Sequence, residues 1–91
     1  MPAPIGGLKS IQEKVRYTEI ARRAGVEGTV IILAFVDKNG DVVNAEVLKS
    51  IGAGLDEEAL NAVITTKFIP GKQRGIPVNV QMRIPVKFVL R

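Results

Sequence analysis

At 91 residues the chain has room for one small domain and not for two. With 46% hydrophobic and 24% charged residues it has the balance of a folded globular domain, and the absence of cysteine and histidine excludes disulfides, thiolate chemistry and the side chains most used as neutral-pH base or metal ligand. A formal charge of +4 is compatible with acidic peptides, anionic lipid or nucleic acid and selects none of them.

No apolar run approaches the roughly 18 residues of a membrane helix. The longest, Val30 to Val36, has strand length. Residues 1–7, with two prolines and two glycines, lack the basic and apolar regions of a secretion signal and read as a linker end, leaving residues 8–91 as the domain. Leu8, Ile11 and Val15 recur at helical spacing and predict a short helix over Lys9 to Val15. A second helix follows, with Thr18 as N-cap, Glu19 at the positive end of the dipole and Gly25 after the last turn. Gly28 to Val36 is β-branched and aromatic and predicts a strand, Asp37-Lys38-Asn39-Gly40 a hairpin turn with positive φ at Asn-Gly, and Asp41 to Leu48 the returning strand. Ser50 to Gly54 is a loop, after which Asp56 is the expected N-cap of a third helix with Glu57 and Glu58 in its first turn. Lys72 to Pro77 reads as a loop. Val78 to Leu90 then alternates most clearly, with Val78, Val80, Met82, Ile84, Val86, Phe88 and Leu90 on one face.

The predicted class is α+β: a three-stranded antiparallel sheet in the spatial order second–first–third, with helices on one face and the last strand at an edge. On the first strand, Ile31, Leu33 and Phe35 are as apolar as the opposite parity, so the outer face calls for a cover or a partner and is the expected dimer face.

Catalysis finds no support. Asp37, Asp41, Asp56, Glu57 and Glu58 have turn and cap roles, and Ser10 and Ser50 lie in no nucleophile motif. Gly52-Ala53-Gly54 precedes a helix opened by acids, which repel phosphate. Lys67, Lys72, Arg74, Arg83, Lys87 and Arg91 gather toward the C-terminus, but Tyr17, Phe35, Phe68 and Phe88 are spread over four elements rather than forming a stacking surface, so no nucleic acid is expected. No cofactor or metal is expected either.

Six segments in order, Tyr17-x-x-x-Ala21, Gly25-Val26-Glu27-Gly28-Thr29-Val30, Val36-Asp37-x-x-Gly40-x-Val42, Gly54-Leu55-Asp56-Glu57-x-Ala59-Leu60, Phe68-x-Pro70-Gly71 and Pro77-Val78-x-Val80 with Pro85-Val86-x-Phe88, together resemble the TonB C-terminal domain over nearly the whole chain. Thr18 stands where the family usually has proline, and Thr66 where an aromatic is common. The resemblance implies a periplasmic module of an energy transducer anchored in the inner membrane. Its partners would be the TonB box of outer-membrane receptors that import substrates such as siderophores and, through a region absent from this chain, the ExbB–ExbD motor. It also implies a receptor-contact region at Tyr17 and Thr18. The alternatives are a self-associating envelope scaffold or cell-wall-binding module, and a small basic nucleic-acid-binding domain. The expected peptide-binding edge is the last strand over Val78, Asn79, Val80, Gln81, Met82, Arg83 and Ile84, where an extended peptide adds as a further strand. Pro85 has no N–H and fits a strand where that group would face an open edge, which puts the amides of Asn79, Gln81 and Arg83 on the binding side.

Overall fold

The computed structural model describes residues 3–4 and 7–90. In chain order its elements are β1 (Ala3–Pro4), α1 (Leu8–Lys14), α2 (Glu19–Ala24), β2 (Gly28–Val36), β3 (Val42–Lys49), α3 (Leu55–Ile64), β4 (Phe68–Ile69), β5 (Gly71–Gln73), β6 (Ile76–Val78) and β7 (Val80–Phe88). β2 is the centre of a three-stranded sheet of order β3-β2-β7, antiparallel throughout, which is the expected second–first–third arrangement. Val30, Ile32, Ala34 and Val36 of β2 and Ile84, Val86 and Phe88 of β7 are buried with Leu55, Ala59, Ala62 and Val63 of α3, and Ile11, Ala21 and Phe68 complete the core. No helix among the described residues is long and apolar enough to cross a membrane.

Local chemistry sets the helix ends. Thr18 Oγ1 accepts from the Ala21 N–H at 3.1 Å and donates to the Ala53 carbonyl at 2.6 Å, while Gly25 closes α2 in the left-handed region at φ 68°. At the other end of α3, Lys14 Nζ donates to the Thr65 carbonyl and to Thr66 Oγ1, each at 3.0 Å. Thr66 in turn donates to the Ala62 carbonyl at 2.6 Å. Thr66 is thus a buried hydroxyl with both partners made, and a cation meets the negative end of α3. Lys14→Met is expected to lower stability by about 1 kcal/mol in chemical denaturation, through the lost charge-assisted bonds.

Four expectations are corrected. Asp56 does not cap α3. The helix starts at Leu55 behind Gly54, and Asp56, one residue inside, turns its carboxylate back to accept from Ser50 Oγ and from the Ile51 and Gly52 N–H groups at 3.0 and 3.3 Å. Partial burial pushes the Asp56 pKa up, but these hydrogen bonds outweigh it and hold the group below the ordinary 3.8. A depressed folded pKa contributes stability above the unfolded value and loses it as pH falls through the folded one. Asp56→Ala is therefore expected to cost about 1–2 kcal/mol at neutral pH. That deficit should shrink from the ordinary carboxylate range downward, which denaturant melts across acid pH will read.

The second correction is to the β2–β3 turn, where only Gly40 takes positive φ (86°). Asp37 makes this turn: its carbonyl accepts from the Gly40 N–H, and its carboxylate accepts from the Asn39 and Asp41 N–H groups. Third, residues 72–77 are not a loop. β5 and β6 form a hairpin whose two turn residues, Arg74 and Gly75, are left-handed at φ 53° and 78°. Fourth, the last strand is interrupted at Asn79 and ends at Phe88 rather than Leu90. Within the expected linker end, Ala3 and Pro4 pair with Ile69 and Phe68, and residues 1, 2, 5 and 6 lie outside the described residues, as does Arg91.

Candidate functional site

β7 pairs with β2 without a bulge from Gly28↔Phe88 to Val36↔Val80, and among the described residues its other edge carries no strand. Along an antiparallel strand the peptide groups alternate between the two edges. Lys87 fixes which residues face which way. Its N–H donates to Gln12 Oε1 at 2.7 Å and its carbonyl accepts from Gln12 Nε2 at 2.9 Å, so Lys87 is turned toward α1 and away from β2. By alternation Pro85, Arg83 and Gln81 face the same open edge. Pro85 has no N–H to leave unpaired there, and among the described residues nothing bonds to the outward amides of Gln81 and Arg83. In the two-residue β5–β6 hairpin, Gln73 and Ile76 flank the turn as its bonded pair, so Pro77 points away from β5. Prolines therefore bracket the open stretch at both ends.

The two faces of this stretch differ. On the helix side Val78, Val80 and Met82 are half-buried where Ile84, Val86 and Phe88 are fully buried, because the helical layer covers only the C-terminal half of the strand. On the outer side Gln81 and Arg83 are exposed. Next to Gln81, a pit of about 300 Å³ is lined by Phe35, Asp37, Val43, Asn79 and Val80. Asn79 Oδ1 accepts from the Lys38 N–H at 3.0 Å and ties the start of β7 to the β2–β3 turn.

The seven residues expected at the edge thus fall into two sets. Gln81 and Arg83 offer main-chain groups, while Asn79 sits in the break before β7, tied to Lys38 by its side chain. Val78, Val80 and Met82 offer apolar surface. Ile84 is buried and offers neither. Tyr17 and Thr18 lie at the other end of β7: the Tyr17 ring meets Phe88 edge-on at 5.7 Å and its hydroxyl donates to the Val26 carbonyl at 2.7 Å. Both hydroxyls have internal partners. Ile31, Leu33 and Phe35 form a half-buried stripe on the outer face, flanked by Asn44, Glu46 and Lys49 on β3 and by Gln81, Arg83 and Pro85 on β7. Among the described residues no group of three or more Asp and Glu is placed to hold a metal ion. Gln12 was not among the expected residues. A glutamine on a helix surface carries no signal for a contact 75 positions away.

Residues 13–90 match the model of the Gram-negative bacterial TonB protein C-terminal family. The chain belongs to the TonB C-terminal family. It is 39% identical over 84 residues to Protein TonB of Vibrio cholerae, covering 91% of this chain and 34% of that protein. Protein TonB of Xanthomonas campestris pv. campestris is 40% identical over 76 residues, 82% of this chain and again 34% of the relative. The chain therefore spans about a third of the length of these TonB proteins. The solution structure of the Helicobacter pylori TonB C-terminal domain superposes with a TM-score of 0.68 at 24% identity, covering 89% of this chain and 86% of that one, and shares the fold. The TonB family assignment agrees with the expectation from the six sequence segments, and the three-strand order with that from the predicted elements.

Proposed function

We propose that this TonB-family domain is the periplasmic receptor-binding part of an energy transducer, and that it takes the TonB box of an outer-membrane transporter as an added strand along Asn79–Arg83. The observation that carries the reading is the run of outward main-chain groups at Gln81 and Arg83 beside the half-covered Val80 and Met82. Main-chain pairing tolerates different sequences, and the apolar flank rewards β-branched or aliphatic residues at alternate positions of the ligand. In this reading, force generated by the ExbB–ExbD motor reaches the domain through the part of the TonB relatives that it does not span, and loads the paired peptide so that the transporter opens to substrates such as siderophores. Backbone N-methylation tests it. In synthetic TonB-box peptides, methylating the amides that face β7 should weaken binding on the order of tenfold per site, and methylating the alternate amides should leave it unchanged. An equal, small effect at every position would rule out strand addition.

The Ile31–Leu33–Phe35 stripe favours a second reading, homodimerisation through the outer face, since β3 and β7 flank it with mainly polar side chains. Light scattering should then show concentration-dependent mass that Phe35→Lys abolishes; a monomer at millimolar concentration removes this reading.

A further inference from the structure

The open edge of β7 is closed at one point by a side chain. The carboxamide of Gln12 holds both main-chain groups of Lys87, accepting from its N–H at 2.7 Å and donating to its carbonyl at 2.9 Å. A carboxamide carries the same donor and acceptor as a peptide group. Gln12 therefore occupies the place on the ladder that a peptide unit of an added strand would take. Its position is held from both sides along the chain. Ile11 is buried in the core, Lys14 is bonded to the end of α3, and the Arg16 N–H donates to a Glu58 carboxylate oxygen at 3.2 Å. Between Gln12 and the free amides stands Pro85, which offers no N–H. Pairing on this edge thus fails twice in succession beyond Arg83.

We propose that Gln12 terminates strand addition on β7, a specificity-determining role that fixes how far along the edge an extended peptide pairs and in which register; it rests on the strand-addition reading above. A peptide running past Pro85 would have to break two hydrogen bonds at Lys87 to make two, with no net gain and with the Gln12 carboxamide left to find new partners. A peptide that ends at Arg83 meets no such exchange. The same contact protects the edge itself, since an unpaired N–H and carbonyl at Lys87 would lengthen the row open to another strand.

Amide exchange followed by NMR in the 91-residue chain tests this directly. Gln12→Ala should speed exchange at Lys87 on the order of tenfold while Val86 and Phe88, which face β2, stay unchanged and report that the fold is intact. Gln12→Glu, which keeps an acceptor for the N–H, should retain most of the Lys87 protection. The probes are blocked synthetic peptides of alternating valine and threonine ending in glutamate, one just spanning Asn79–Arg83 and one longer by two rungs. In the native chain both should bind alike, and in Gln12→Ala the longer should bind tighter and extend protection to Lys87. Lys87 exchange indifferent to the substitution, or a longer peptide already preferred by the native chain, would overturn the proposal. If neither peptide binds while Gln12→Ala still frees Lys87, strand addition is wrong and the closing of the edge by Gln12 stands.

Discussion

Gly40→Ala should be among the most damaging single substitutions in the domain, costing about 3 kcal/mol and lowering the melting temperature by on the order of 15 °C. Two effects coincide there. Gly40 sits at φ 86°, where a side chain is strained, and an added Cβ would fall inside contact distance of the Phe68 carbonyl oxygen. The Phe68 N–H also donates to the Gly40 carbonyl at 2.9 Å, so the turn cannot move away without breaking the link between the β2–β3 hairpin and the segment after α3. Gly52→Ala is the control. Its φ is 76°, but an added Cβ meets nothing within 4 Å, so only strain of about 1 kcal/mol is expected. Thermal melts of the two variants separate the contact from the conformation. Equal losses would mean that the packing against Phe68 is unimportant.

Proline substitution along β7 should divide by parity. Met82→Pro removes a ladder bond to Ala34 of β2 and sets a ring against that strand, and should cost about 3 kcal/mol or more. Gln81→Pro removes an amide that faces the open edge. Its neighbour Val80 is already extended, as a residue before proline must be, and Pro85 shows that the strand accepts the ring at this parity. The expected cost to the fold is about 1 kcal/mol, with a loss of TonB-box affinity of tenfold or more. Denaturation and peptide titration on both variants check the pair. A Gln81→Pro domain that unfolds as readily as Met82→Pro would show that the amides alternate the other way.

What was legible in the sequence was what short-range rules determine. Strict alternation from Val78 to Phe88 gave the last strand and its buried face, and the β-branched run before Asp37 gave the central one. Thr18 and Gly25 cap as their types suggest, because capping involves only adjacent turns. Asp56 shows the boundary of such reasoning. Its spacing fits a cap, but Gly54 takes that position and frees the carboxylate to bind the loop behind it. The β5–β6 hairpin was missed because Gly71-Lys72-Gln73 has no β signal and Pro77 argues against a strand, whereas Arg74 in the left-handed region cannot be foreseen from its type. Parity about Pro85 already divided the expected edge of seven residues into amide-bearing and apolar members. Gln12, which closes one end of that edge, carries no such signal and is brought there by the packing of α1 against α3 and β7.

The most direct test of the central claim is amide exchange across β7 with a TonB-box peptide bound. Protection gained at Asn79, Gln81 and Arg83, with Val80 and Met82 already protected in the free domain by β2, is the predicted result. Protection gained at Val80 and Met82 instead, or spread over the Ile31–Leu33–Phe35 face with none at Gln81 and Arg83, would contradict it.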